Sequence, residues 1–368
     1  MKKIGLYFHC KCTRFAYLLF TTLFFYANSS VAQVQKCTPE NYDAAVINIL
    51  FENDLWGSGK DTHYTHGTRF SYISSKKSDD CKDSKLGSLE IIREIAKYKM
   101  LKPIHLETQR ISVILGQNIF TPEDITASNL QKDDRPYAGW LYIGFGFVKD
   151  ADSTVDKVII KNWSNIVDIL ELNVGVVGPW SYAEDIQTGW HKFIDTTTPN
   201  GWAHQLKNEL GIVINYERKF RMDSKSLISK IQFDLTPSIG FALGNVHTNL
   251  ASGAIVRLGY NMPYDYGPPR IRPGLQGSDF FEAKSGFSIY LFAGVEGRFV
   301  ARNIFLDGNT FRNSHSVAKK PFIGDFQAGI VVTYKKIRVS LSNIFRTKEF
   351  QKQNEADEYG AVNISYHL

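Results

Sequence analysis

The chain has 368 residues, with 43 Lys and Arg against 37 Asp and Glu and a formal net charge of +6. Four of those basic residues, Lys2, Lys3, Lys11 and Arg14, precede an apolar run from Phe15 to Ala27, with small residues at Ser30 and Ala32, the layout of an export signal cleaved after Ala32. Removing them leaves +6 − 4 = +2, so the charge excludes a basic nucleic-acid binder as the natural reading.

The apolar run is shorter than the ~20 residues a spanning helix needs, which disfavours an uncleaved anchor. Residues 1–32 are therefore read as a signal peptide and 33–368 as one exported domain. Cys10 and Cys12 leave with the signal, and the remaining pair, Cys37 and Cys81, could be joined in an oxidising compartment. Two cysteines without CxxC spacing do not suggest a metal site, and Val34-Gln35-Lys36 does not suit lipoprotein processing at Cys37.

Beyond the signal, alternation of apolar and polar residues predicts strands near 44–53, 65–74, 109–118, 139–149, 165–178, 208–220, 231–244, 250–261, 286–301 and 323–335. Two more close the chain. In Ile337–Phe345, Ile337, Val339 and Leu341 take one face and Arg338, Ser340 and Ser342 the other; Val362, Ile364, Tyr366 and Leu368 repeat the pattern. Many of these twelve segments are about 10 residues long, the length a tilted strand needs to cross a bilayer, and the count is even. With aromatics at 13% and no later apolar run of helical membrane length, the fold class is all-β, a transmembrane antiparallel β-barrel of about twelve strands. A soluble β-sandwich or lipocalin-like barrel is the alternative, and it uses fewer strands.

With the N-terminus in the periplasm, segments 53–64, 118–138, 179–207, 245–249, 302–322 and 347–358 are extracellular. Segments 75–108 and 262–285 fall on the periplasmic side and exceed the short turns expected there.

Three polar stretches share the extracellular rim. The first, "ILFENDLWGSGKDTHYTHGTRFSYIS" at 49–74, gathers Glu52, Asp54, Asp61, His63 and His66. Asn53 and Asp54 offer hard oxygen donors that suit Ca²⁺ better than zinc, although the loop lacks the EF-hand pattern and a solvated turn is the other reading. In a regular strand the two point to opposite faces, so a shared ion requires the strand to end or bulge there, which Gly57 and Gly59 permit.

In the second stretch, Asp134-Arg135-Pro136-Tyr137-Ala138-Gly139, Pro136 holds Arg135 extended. A clasp between Arg135 and Asp134 is expected, with phosphate binding as the other use of the guanidinium.

The third, "GPWSYAEDIQTGWHKFID", fits a rim helix from Trp180 to Asp195. At about 100° per residue, Tyr182, Ile186, Trp190 and Phe193 share one face, and Trp180, Glu184, Gln187, His191 and Asp195 the other. Gln187 and His191 are neighbours at i and i+4. His191 has the side chain for general-base work on a water, and no GxSxG elbow offers a serine nucleophile. A merely interfacial helix is the competing reading.

Taken together, "FENDLW…DTHYTHGTRFSY", "GQNIFTPEDI", "DRPYAGWLY", "LNVGVVGPWSYAEDIQTGWH…GWAHQLKNE" and "RNIFLDGNTFRNSHSV" resemble, in order along nearly the whole mature chain, the LpxR-type outer-membrane lipid A 3′-O-deacylases. The resemblance implies a twelve-stranded barrel and a calcium-dependent hydrolase that removes the 3′-linked acyloxyacyl group of lipid A in lipopolysaccharide. Its site would lie between the barrel wall and an extracellular helix, facing the outer leaflet.

By motif, Asn53 and Asp54 match the pair used near calcium, Thr65 the threonine of the Tyr-Thr-x-Gly strand start, and Gln187 and His191 the helix pair, with His191 as base. Asp61, His63 and His66 then become rim residues. A monomer acting at the outer membrane is expected. Two departures stand out: the chain ends on Leu368 where such barrels finish on an aromatic, with Tyr366 two positions earlier on the same face, and a further acidic residue is matched only by Asp195. An outer-leaflet phospholipase, a passive channel and an adhesin are the competing functions.

Overall fold

The computed structural model describes residues 44–57, 59, 62–78, 108–152, 163–222, 225–282 and 286–368. The signal segment, Cys37, Cys81, Asp61 and most of 75–108 lie outside them.

Twelve long strands form the wall: β1 (Val46–Asn53), β2 (His63–Ile73), β3 (Thr108–Thr121), β4 (Ala138–Asp152), β5 (Trp163–Val177), β6 (Glu209–Met222), β7 (Ile231–Gly244), β8 (His247–Tyr260), β9 (Phe287–Asn303), β10 (Phe322–Tyr334), β11 (Ile337–Arg346) and β12 (Asp357–His367). Short strands Lys77–Ser78 and Lys225–Ile228 extend one edge locally. Each long strand pairs antiparallel with its neighbours, and β1 pairs with β12 from Val46↔His367 to Asn53↔Gly360, so the sheet closes. The predicted strands correspond one to one, and the observed ladders run a few residues further, as at Thr121 and Asp357, because paired backbone continues past the last apolar side chain.

Closure gives every strand residue one of two surroundings. Outward positions such as Ile212, Ile214, Phe241, Leu291, Val295 and Leu341 are apolar and exposed, the belt expected to face lipid. Tyr366 and Leu368 are both exposed on the outer surface. Inward positions are polar: on β11 the buried residues Arg338 and Ser340 alternate with exposed Ile337 and Leu341. Among the described residues no helix is long and apolar enough to cross a membrane.

The lumen is filled. Residues 262–282, expected as a connection outside the barrel, instead rise into it from the rim that joins β8 to β9, here called the lower rim. The segment folds back on itself through Gly277 N–H to Pro268 O at 2.9 Å and Ser278 N–H to Gly267 O at 3.0 Å. Gly277 is required there, since a Cβ would sit 2.1 Å from the Gly267 oxygen.

Charged pairs fix this plug to the wall. Arg69 grips Asp279 through two bonds of 2.8 and 2.7 Å, Arg338 reaches Asp265 at 3.1 Å, Arg257 also pairs with Asp265, and Arg270 meets Glu52 at 2.5 Å. An uncompensated charge in such a place is costly, so the wall's inward arginines and the plug's carboxylates require each other. Ile271 at the plug's upper end packs in a cluster with Leu50, Tyr64 and Tyr359. A passive channel needs an open lumen, and the plug removes it.

Purified protein in a planar bilayer is accordingly expected to give no steady conductance, whereas replacing residues 264–282 with a short Gly-Ser linker should open the lumen and produce it. Steady conductance from the unaltered chain would refute the plug.

Candidate active site

At the upper rim, β1 ends where the two oxygen donors sit. Asn53 is the last strand residue, and its side chain turns the corner: Oδ1 accepts from Leu55 N–H at 3.0 Å, and Nδ2 donates to Thr65 O at 2.9 Å. Asp54 opens a 3-10 turn, Asp54–Trp56, and is buried, its Oδ2 accepting from Thr62 N–H at 2.5 Å. The strand thus breaks between the pair, as a shared ion requires.

The start of β2 is irregular in a useful way. Its ladder with β3 shifts between His63 and His66, so the alternation skips one residue. Tyr64 and Gly67 both face inward, since a Cβ on Gly67 would meet the Tyr64 hydroxyl and Ile271. Thr65 then falls on the outer wall, where its hydroxyl bonds that of Thr121 at 2.7 Å.

Thr121 belongs to the outward row of β3 with Gln117 and Ile119, which is buried because a helix covers it. That helix, α1 (Ala183–Phe193), follows a 3-10 turn at Pro179–Ser181 and a left-handed Tyr182 (φ 56°), so the helix predicted from Trp180 to Asp195 is shorter at both ends. Gln117 Nε2 donates to Ser181 O at 2.6 Å. Gly139, outward on β4, lets the segment approach: a Cβ there would lie 2.1 Å from Ser181 Oγ and 2.2 Å from Ala183 Cβ. Ile119, Tyr137, Ala183 and Trp202 make the apolar seat.

The helix is inverted relative to one on a soluble protein. Ala183, Gln187 and His191 are the buried stripe against the wall, while Tyr182, Ile186, Trp190 and Phe193 are exposed. Trp180, Glu184 and Asp195, expected on the polar face, are exposed as well and take no part in that stripe.

The buried pair is oriented by partners that leave no choice of role. Trp202 Nε1–H can only donate, and it donates to Gln187 Oε1 at 3.0 Å, which fixes the amide with its NH₂ as donor. The Thr197 carbonyl can only accept, so His191 Nδ1 carries the proton in their 2.5 Å bond and Nε2 is the basic nitrogen.

The structure therefore brings Asn53 to Thr65 and Thr65 to Thr121, in the same outer row as the residues that seat Gln187 and His191. Asp54 lines a cleft with Thr62, His63, Glu123 and Asp357. Gln117, Thr121, Trp202 and the Thr197 carbonyl were not singled out from the sequence. A Gln and a Thr in an otherwise apolar outward row (Ile111, Val113, Leu115, Gln117, Ile119, Thr121) were the available signal.

One expectation needs correction. Arg135 does not clasp the Asp134 side chain, whose Oδ1 instead accepts from the Arg135 backbone N–H at 2.6 Å. Its guanidinium instead reaches Glu349 at 3.3 Å and lies over Phe120 at 4.9 Å. Burial raises the Glu349 carboxyl, but Arg135 and Arg346 outweigh it and hold the group below the usual carboxylate range. His63, read as a rim residue, does stand at the upper rim, where it is buried and bonds Asp357 at 2.6 Å.

Comparison with known proteins agrees with this architecture. The family model described as outer membrane protein LpxR matches residues 18–368. LpxR from Salmonella typhimurium superposes with a TM-score of 0.65 at 20% identity, covering 88% of this chain and 100% of that one. The β domain of the Bordetella autotransporter BrkA and the translocator domain of NalP from Neisseria meningitidis give TM-scores of 0.42 and 0.38 at 7% and 8% identity, covering 89% and 99% of this chain and 100% of each of theirs. No curated protein sequence matches the chain.

Gln117→Ala removes a donor from the buried Ser181 carbonyl, a loss of about 1–3 kcal/mol, and Gly139→Val pushes directly on Ser181 and Ala183. Amide hydrogen exchange across 183–193 is expected to accelerate in both variants while the strands keep their protection. Unchanged protection of the helix would show that it is held by something else.

Proposed function

Because the chain belongs to the family of the outer membrane protein LpxR, we propose that it is a lipid A 3′-O-deacylase, an outer-membrane carboxylic ester hydrolase acting on the acyloxyacyl chain at the 3′ position. The observation that carries this reading is the inverted helix: its Gln187–His191 stripe is turned to the barrel wall, and its aromatic face is turned outward. A lipid held against the aromatic face can slide its ester into the seam, and the site need not open to the lumen. On this reading the upper rim faces the cell exterior, residues 1–32 direct export, and the protein works as a monomer on lipopolysaccharide of the outer leaflet.

The chemistry follows from the His191 tautomer. Nε2 removes a proton from a water; the hydroxide oxygen adds to the ester carbon; the tetrahedral intermediate then expels the 3′ oxygen of the sugar, which regains the proton from His191. Products are the free acid and the sugar hydroxyl. The Thr197 carbonyl holds the imidazolium that forms between those steps, and Gln187 offers an N–H donor one helical turn away. Thr65 and Thr121 line the wall below.

The donor set at the end of β1 fits calcium. It is all oxygen: the Asp54 carboxylate follows the Asn53 amide in sequence, and the amide oxygen retains a second lone pair beyond the one facing Leu55 N–H. When bound there, the ion would supply positive charge for the ester's carbonyl oxygen.

Lipid A from cells carrying the protein is expected to lose the mass of the 3′ acyloxyacyl group, as read by mass spectrometry. His191→Ala should reduce that loss by about 10²–10⁴-fold, and Asp54→Asn or chelation of calcium should also suppress it. Unaltered lipid A beside a folded barrel would sink the assignment, and cleavage of glycerophospholipid offered alone would move it to a phospholipase.

A further inference from the structure

We propose that His63, Glu123 and Asp134 form a second metal site on the upper rim, separate in its ligands from Asn53 and Asp54 and suited to Zn²⁺. One ligand atom from each of the three lies within 4.8 Å of the others, and His63 Nε2 stands 3.7 Å from Asp134 Oδ1. The residues come from the start of β2 and from the two ends of the β3–β4 connection, so only the closed barrel assembles them.

The imidazole is prepared for coordination. His63 is 4% exposed, its Nδ1 bonds the buried Asp357 carboxylate at 2.6 Å, and a carboxylate can only accept. Nδ1 therefore carries a proton, and in the neutral ring Nε2 presents a lone pair. That Nε2 is buried and makes no hydrogen bond. A buried ring nitrogen with an available lone pair, aimed at two carboxylates and backed by a third, is the arrangement by which metal-binding histidines are oriented.

The carboxylates are tethered as well. Asp134 Oδ2 accepts from Glu123 N–H at 2.7 Å, and Glu123 Oε2 accepts from Asn354 Nδ2 at 2.7 Å. Two carboxylates and a neutral imidazole balance a divalent ion, and the nitrogen favours zinc over calcium. Glu123 is exposed on an open cleft, so water can complete a tetrahedral set. Bound zinc would join β2 to the β3–β4 connection and, through Asp357 and Asn354, to the β11–β12 connection.

The inference stands apart from the ester-hydrolase reading, because its readout is metal content and not lipid. The full barrel, purified in detergent, stripped with a chelator and dialysed, is titrated with Zn²⁺, and with Co²⁺ as a visible-absorbing stand-in. One tight equivalent is expected in the unaltered protein. His63→Ala and Glu123→Gln should each weaken it about tenfold or more, and Asp357→Asn about 10–100-fold. Glu123 is exposed, so Glu123→Gln leaves the buried packing intact even where the His63 variant fails to fold. Absence of a tight equivalent, full affinity retained in Glu123→Gln, or displacement of Zn²⁺ by an equal concentration of Ca²⁺ would overturn the assignment.

Discussion

Inside a bilayer no water is on hand for an unpaired N–H or C=O, so a sheet that crosses it has to close on itself. Here closure falls to the pairing of Val46–Asn53 with the last strand. Once the ring is shut, a strand residue faces lipid or lumen, with no third option along the span. The apolar belt follows from the first, and a lumen crowded with Arg, Asp and Glu follows from the second. Those charges in turn demand partners, which the 262–282 plug supplies at Asp265, Arg270 and Asp279.

The candidate active site is where that two-way rule is broken. Asn53, Thr65, Gln117 and Thr121 occupy outward positions near the upper ends of β1 to β3, where lipid-facing strands should be apolar. Gln117 is tolerated because it bonds Ser181 in the segment before α1, Thr65 and Thr121 because their hydroxyls bond each other, and Asn53 because it caps the turn that follows it. The helix obeys the same logic from its own side: with lipid outside and polar wall inside, its polar stripe has to be the buried one. Polarity of the wall, inversion of the helix and burial of His191 are thus one arrangement.

Local pattern made the twelve strands legible, because a period of two is written directly in segments such as Ile337–Phe345. It also made the helix pair Gln187 and His191 legible, since i and i+4 need no tertiary knowledge. What could not be read were contacts between residues far apart in the chain. Arg270 meets Glu52 across 218 positions, Arg135 meets Glu349 across 214, and His63 meets Asp357 across 294. The 262–282 segment carries no strand or helix period, and its destination depends wholly on such pairs. The left-handed Tyr182 that delays the helix start is likewise absent from the helical pattern around it.

A plug held by buried ion pairs is a poor way to gain net stability, since desolvating each charge offsets most of the attraction. Its consequence is positional. Each inward arginine fixes one strand against one point of the plug: Arg69 on β2, Arg257 on β8 and Arg338 on β11 all end on carboxylates of the same segment. Arg270, extending from the plug, reaches Glu52, the residue before Asn53. The strand that turns at Asn53 and the strand that bulges beneath Thr65 are therefore referenced to a common internal body, while the residues they present face the opposite way. A reacting group on the outer wall of a barrel has solvent or lipid on one side and can be held steady only from behind. Filling the lumen gives the wall that support, and the base role proposed for His191 would rely on geometry set before a substrate arrives.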